Sequence, residues 1–401
     1  MSKTDRKLFI SLMLWSLIPS IYLLIRMHIV ANTGTDINIL GQMEWFDLID
    51  EIITTVLTVP LYFVIKKERT TPQKNMAAFL TASITYLIFT LIIFIYVGSM
   101  AKFMHAPNAT SYLRLQTWSM WVSFLVNLMI ILFTLDGRTK SFRIMLIAKT
   151  TLMIMCDLLL IPMFKENGAA YSEILVNSIL AIISIGTAYH FGLIRFGKTD
   201  SRLWVHEWIR TGSMSAIQIF LDNWIYAVMV VRIVNSVKQS GNYWMANNFI
   251  YGWLLIPVFA LVEIIRRNNY DELTYQNAWK PSLLIALCWL ITMPGWYWFI
   301  QEPMAMSNVN TIIKIVFPLS IFYLVSIPSQ IIDGWFVSKG KMGYPMMISL
   351  IVNLGYYGIV YAMFKHNLFD VSMKFIVVMF GFGMIAHLFL SAIFYLYEKS
   401  K

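Results

Sequence analysis

The stretch MAAFLTASITYLIFTLIIFIYV runs from Met76 to Val97 without a charged residue. At about 1.5 Å of rise per residue, a helix of that length covers about 33 Å. That is the thickness of a bilayer's hydrocarbon core, so the stretch reads as a membrane-spanning helix. Eleven more runs of this kind lie near 8–30, 45–65, 115–135, 142–163, 170–194, 209–234, 244–265, 280–300, 311–337, 344–364 and 373–397. The gaps between them are short and polar and leave no room for a soluble domain. Gly and Pro inside the runs do not break this reading, because packed membrane helices tolerate them.

Composition agrees. Of 401 residues, 58% are hydrophobic and 13% charged. Soluble domains carry roughly 25% charged residues, and so few charges cannot coat a globule of this size. The cysteines, Cys156 and Cys288, both lie inside apolar runs, which excludes a disulfide framework or metal-ligand spacing. The first apolar run, Leu8 to Val30, is too long for the apolar core of a cleavable signal and reads as the first span. The formal charge of +10 is spread over short loops. That pattern suits membrane topology and not a nucleic-acid patch.

The basic residues test the count of spans. With the N-terminus inside, inner segments hold 21 Lys and Arg, and outer segments hold 6: Lys102, Arg114, Lys165, Lys238, Lys365 and Lys374. The positive-inside rule predicts this alternation, and one missed helix would scramble it. Twelve spans with both ends in the cytoplasm are expected.

The chain also repeats itself at a spacing near 200. Gly41 matches Gly241, Ile65-Lys66-Lys67 matches Ile265-Arg266-Arg267, and Met163-Phe164-Lys165 matches Met363-Phe364-Lys365. At a spacing of 204, Ile21-Tyr22 and Ile29-Val30 match Ile225-Tyr226 and Ile233-Val234. The expected fold is therefore all-α and polytopic, with two six-helix bundles related by a pseudo-two-fold axis along the membrane normal. The lobes would be residues 1–200 and 201–401. Such a plan is common in transporters, where one half rocks against the other around a central cavity.

Helices 5 and 6 carry the most informative motif. Asp157-Leu-Leu-Leu-Ile-Pro162 is followed by Gly168-Ala-Ala170 and a polar-dotted run through Asn177. This resembles the multidrug/oligosaccharidyl-lipid/polysaccharide (MOP) superfamily. Gln218-Ile-Phe-Leu-Asp222 looks like the seventh helix of its multidrug and toxic compound extrusion (MATE) branch, and Lys339-Gly340 through Pro345 is similar to that family's turn between helices 10 and 11. The resemblance implies a cation-coupled exporter. There are departures. The first helix reads Leu24-Ile25-Arg26-Met27-His28 where MATE proteins commonly have an acid, and Gly241-Asn-Tyr243-Trp-Met-Ala246 is closer to the polysaccharide-flippase branch. Asp333 lies a few residues from where the family's helix-10 acid would fall.

Ionisable groups inside a span are costly and usually face protein or a wet cavity. Asp222 sits roughly 20 Å into helix 7, near the midplane. It is either a cation-coupling acid or a static helix contact. Tyr226 and Met229 extend its face at helical spacing, and with Trp224 they are candidates for the substrate cavity. Asp157, with Asn177 or Asn127, would bind Na⁺, relay a proton or join helices. Lys149, on the same helix, suits an interhelical ion pair or snorkelling. Glu44, Asp47, Asp50 and Glu51 cluster near the outer end of helix 2, at the depth of Arg26, which suggests a rim pair such as Arg26 with Asp50. Arg232 lies at the comparable depth of helix 7 and would suit an anionic headgroup. Lys314 and His387 read as structural.

The leading expectation is a secondary antiporter of MATE type. It would export small organic molecules by alternating access, driven by H⁺ or Na⁺ at Asp222, Asp157 and Asn177, with Tyr226, Met229, Arg232, Arg26, Trp224 and Asp333 around the substrate cavity. The alternative is a flippase for a lipid-linked saccharide or other anionic amphiphile. A membrane enzyme is disfavoured because the chain shows no metal-ligand pair, nucleophile elbow or phosphate loop. No cofactor is expected beyond the coupling ion, no metal beyond a Na⁺ at Asp157, and no partners beyond lipid and substrate. A monomer in a bacterial cytoplasmic membrane fits best.

Overall fold

The computed structural model describes residues 3–66, 71–136, 138–197, 219–268, 270–341, 343–366 and 368–400. Its helices follow the apolar runs: α1 (Lys3–Thr33), α2 (Met43–Lys66), α3 (Pro72–Phe103), α4 (Thr110–Leu135), α5 (Thr139–Phe164), α6 (Glu166–His190), α7 (219–236), α8 (Ser240–Leu254 continued by Ile256–Asn268), α9 (Tyr275–Gln301), α10 (Val309–Ser338), α11 (Gly343–Lys365) and α12 (Met373–Lys399). The expected all-α membrane architecture is thus present. Among the described residues, nine helices are long and apolar enough to cross a bilayer, and ten if the bent α8 is one span. The 24-residue α2 is long enough but rich in acids, and the start of the seventh run lies outside the described residues.

The chain forms two compact units. One is continuous, Asn32–Ala227, and the other is split, Met1–Ala31 with Val228–Lys401. These do not coincide with the lobes expected at 1–200 and 201–401. The reason is visible on α1. Asp5 Oδ1 accepts from Asn268 Nδ2 at 3.1 Å, and Ser20 lies against Gly252, close enough that a Cβ there would meet Ser20 Oγ at 3.3 Å. Both spacings span about 23 Å of helix. α1 therefore runs antiparallel along α8, and the glycine makes room for it.

In the continuous unit, α4 packs closely on α6, α6 on α5 and α3 on α4. Small residues on α6, Gly168, Ala169, Ala170 and Ser172, are buried and let the helices approach. α5 and α6 are joined through Lys165 alone, whose φ of +54° reverses the chain. Tyr86 stacks on Phe124 with ring centroids 4.2 Å apart.

In the split unit, α10 lies between α12 and α8. α8 bends by 52°. Pro257 lacks an N–H, and its ring crowds the carbonyl four residues back, so the ladder breaks before it. A π-helical segment, Ile250–Leu254, precedes the break. The Leu254 carbonyl at the bend accepts from the buried Trp289 indole at 2.9 Å. Trp289→Phe keeps the ring and removes this donor. It should cost about 1–3 kcal/mol, read as a lower thermal unfolding midpoint in detergent.

The repeat is written in the backbone as well. His105 and Ala305 both have positive φ, +58° and +54°, in the turns before α4 and α10. Gly34 (+66°) and Lys238 (+55°) do the same in the turns before α2 and α8. The two spacings, 200 and 204, are those of the matched motifs.

Candidate functional site

The polar heart of the continuous unit lies on α2. Glu44, Asp47, Asp50 and Glu51 fall within its first three turns, and Asp50 sits about 10 Å inside the helix. Asp47 and Glu51 are exposed and Glu44 and Asp50 half-buried. Carboxylates at that depth require a wet surface or protein partners, and these have both. Asp50 Oδ1 accepts from the Tyr86 hydroxyl of α3 in a short hydrogen bond and from Thr54 Oγ1 at 3.2 Å. Glu44 Oε1 accepts from Tyr226 Oη at 2.9 Å. Glu51 Oε2 accepts from Asn223 Nδ2 at 2.9 Å, and the same amide reaches the Leu48 carbonyl at 3.0 Å. The 219–226 segment of α7 is thereby clamped antiparallel along the acids of α2.

Two further helices complete the site. Glu173 of α6 accepts from the buried Ser119 Oγ of α4 at 3.1 Å, and its charge reaches Asp47 together with those of Glu44, Asp50 and Glu51. Lys149 of α5 is half-buried and within electrostatic reach of both Glu173 and Asp50. Five carboxylates thus act on one another, and two of them, Asp50 and Glu173, act on the ammonium of Lys149. Among the described residues, no three His, Cys, Asp or Glu side chains converge as a metal-ligand set.

The expected site residues fall in several places. Asp222 is half-buried on α7, beside Asn223 and one turn from Tyr226, at the depth of Glu51. Trp224 is exposed and stacks on Phe220. The side chain of Met229 lies outside the described ones. Met229 itself falls within a π segment, Ala227–Val231, that directly follows Tyr226. Asp157 and Asn177 are both buried in the α5–α6 hairpin, about 12 and 18 Å from its tip. The Asn177 Oδ1 has no hydrogen-bond partner among the described residues.

In the split unit, Arg26 lies 5.2 Å over the ring of Tyr22 on its own helix. Asp50, its expected rim partner, draws on Tyr86 and Thr54 in the other unit. Arg232 Nη1 donates to Tyr361 Oη at 3.0 Å. Asp333 accepts from Ser391 Oγ at 3.2 Å and pairs with His387 Nε2 at 2.7 Å, so His387 is more than an isolated polar point. At the end of the same helix, Lys339 pairs with Asp271 at 3.0 Å and Lys399 with Glu272 at 2.9 Å, while Lys341 meets Glu398.

Sequence reading missed Glu173, Ser119, Tyr86 and Thr54, and it read the α2 acids as rim residues. The signal was present in part. Glu44, Asp47 and Glu51 follow i, i+3, i+7 spacing, one helical face inside an apolar run. Nothing local assigns Glu173 to that face.

No family model matches the chain, and no curated protein matches it by sequence. Solved structures do match. A multidrug resistance MATE family transporter of the MOP superfamily, in an inward-facing conformation, aligns with a TM-score of 0.72 at 14% identity over 95% of this chain and 94% of its own. A MOP superfamily transporter from Pyrococcus furiosus, described as having a binding pocket of reversed polarity that suggests a different function, aligns at 0.61 and 14% identity over 99% and 95%. A Vibrio cholerae MATE transporter in mutant form aligns at 0.60 and 13% identity over 100% and 99%. The chain is similar to these in fold, the fold that the Asp157–Asn177 motif implied.

Proposed function

We propose that this protein is a cation-coupled secondary antiporter that exports small organic molecules, positively charged ones foremost, across a bacterial cytoplasmic membrane with both termini inside. The observation that supports it best is the acid network of α2 inside a membrane helix. Four carboxylates in the first turns of a membrane helix, with Glu173 beside them, are costly to hold there, and such groups usually serve an ion or substrate path. Exposed Asp47 and Glu51 give the network access to protons, Na⁺ or an organic cation. Asp222 lies against the same network through Asn223 and Tyr226. Asp157 and Asn177 are a deeper, buried place for the coupling ion, H⁺ or Na⁺. The shared fold with MATE family transporters supports alternating access as the means.

A second reading is a flippase for a lipid-linked anionic substrate. Arg232, whose guanidinium donates to a phenol, supports it, since guanidinium suits phosphate.

Uptake of a fluorescent organic cation into everted proteoliposomes, under an imposed proton or Na⁺ gradient, separates the two. Gradient-driven uptake is expected in the wild type. Asp222→Asn should abolish it and Arg232→Gln should leave it within about twofold. No uptake from folded protein under either gradient would remove the exporter reading. The reverse mutant pattern would favour the flippase.

A further inference from the structure

We propose that the cavity at the shared ends of α8, α9, α10 and α12 binds the headgroup of an aminophospholipid, its phosphate on lysines and its primary amine on carboxylates. The cavity has a volume of about 390 Å³, within the range of small-molecule sites. It lies where four helices leave their apolar runs: α8 ends at Asn268, α9 starts at Tyr275, α10 ends at Ser338 and α12 ends at Lys399. In a bilayer that level is the headgroup region. The walls carry three lysines, Lys339, Lys341 and Lys399, and three acids, Asp271, Glu272 and Glu398. This balance disfavours a purely anionic or purely cationic ligand and suits a zwitterion.

Two aromatic rings fix the shape. Trp335 and Tyr395 also line the cavity and meet edge to face, with centroids 5.1 Å apart. The Trp335 indole donates to the Tyr270 carbonyl at 2.8 Å, and Tyr395 Oη accepts from the Leu273 N–H at 3.2 Å. These bonds hold the α8–α9 turn against α10 and α12, so the cavity does not depend on its ion pairs. The pairs themselves are uneven. The Lys339 side chain is 20% exposed, yet its partner Asp271, 3.0 Å away, is wholly exposed. Water screens such a partner and leaves little net attraction. A phosphate inside the cavity would give Lys339 a less hydrated counter-charge and charge-assisted hydrogen bonds. Lys399 and Glu272, 2.9 Å apart, are both half exposed. That pair can open at small cost, the lysine turning to the phosphate and the acid to the amine. Glu398 is different. Its side chain is nearly buried and accepts from both Lys341 and Tyr344, so it anchors the wall. A primary ammonium offers three N–H donors to Asp271 and Glu272, whereas a choline headgroup offers none. A lipid is favoured over a soluble ligand by the approach to the cavity. Phe389, Ile393 and Leu396 are exposed on α12 at i, i+4, i+7 spacing, and Lys399 follows three residues later. One apolar stripe thus ends on an ammonium, as an acyl chain ends on a phosphate.

The test follows thermal unfolding of the full chain in detergent micelles that contain phosphatidylethanolamine, phosphatidylcholine or phosphatidylglycerol. Soluble phosphoethanolamine without lipid is a further arm. Phosphatidylethanolamine should raise the unfolding midpoint saturably, half-complete at a mole fraction about tenfold or more below that of either other lipid. Lys339→Gln and Lys399→Gln should each raise that mole fraction by about tenfold, since each removes a charged donor to the phosphate. Either variant carries the test if the other does not fold. Lys102→Gln, at the end of α3, is the control and should leave the response unchanged. Equal responses to the three lipids would overturn the proposal, as would a response to phosphatidylglycerol alone. A full response to soluble phosphoethanolamine would overturn the lipid as occupant. Folded Lys339→Gln and Lys399→Gln that keep the wild-type response would overturn the site. None of these readouts is transport, so the proposal stands or falls apart from the antiporter reading.

Discussion

Asp50→Asn should reduce gradient-driven uptake of an organic cation to the level of empty liposomes while leaving the protein folded. The amide keeps the size of the side chain and can still accept from Tyr86 and Thr54 on its oxygen, so packing around α2 and α3 is preserved. What is lost is the ability to carry a negative charge or a proton at that point. Among the described acids of α2, Asp50 is the one anchored to α3 through a phenol. Losing the charge removes one of the two carboxylates within electrostatic reach of Lys149, and a half-buried ammonium with fewer counter-charges is costly. Tyr86→Phe provides the graded comparison. It removes one donor and leaves the carboxylate, so uptake should slow without vanishing. Wild-type rates in Asp50→Asn, with normal detergent elution, would place the coupling elsewhere, first at Asp157.

Gly168→Ala should be the most damaging single methyl in the continuous unit. A Cβ at this position falls onto the backbone of α5, against the Leu160 carbonyl and 2.8 Å from Ile161 Cα. Backbone cannot rotate away as a side chain can, so the helices must separate. Overpacking of this kind costs about 1–3 kcal/mol, occasionally more. The turn at Lys165 leaves no slack, because α5 ends at Phe164 and α6 begins at Glu166. Separation would also displace Lys149 and Asp157 on one helix from Glu173 and Asn177 on the other. Gly186→Ala, on the same helix with nothing within 4 Å of the added carbon, is the control. It should be neutral or stabilise by about 0.4–1 kcal/mol. Thermal unfolding midpoints in detergent check both. Equal midpoints would show that the α5–α6 hairpin is looser than the structure has it.

The helices were legible from hydropathy because bilayer thickness leaves few alternatives, and the boundaries at α3, α10 and α12 fall close to their apolar runs. The repeat was legible too, since matched motifs sit at matched turns. Grouping was not. α1 joins the split unit through contacts such as Ser20 with Gly252 that no local pattern announces. The site was half legible. Asp222 and Tyr226 were found as isolated polar points in an apolar helix, but the α2 partners of Tyr226 and of Asn223, beside Asp222, come from 172–182 residues away. Reading Glu44 to Glu51 as a rim treated depth as the deciding quantity. The deciding quantity was the helical face, which Tyr86, Thr54 and Glu173 share.

The wide helical turns are unevenly distributed. Among the described residues they occur at Ala227–Val231, Ile250–Leu254, Tyr275–Trp279 and Ile351–Tyr357, all in the second half of the chain. Each holds one more residue per hydrogen-bonded loop than an α-turn. A helix can pass such a turn along its length, and everything beyond it then advances by one residue, about 1.5 Å along the axis and about 100° around it. α7, α8 and α11 therefore each contain a short screw thread. The described helices of the first half of the chain lack such turns, which suits holding a charge network at fixed distances, and the second half has rods that can be wound.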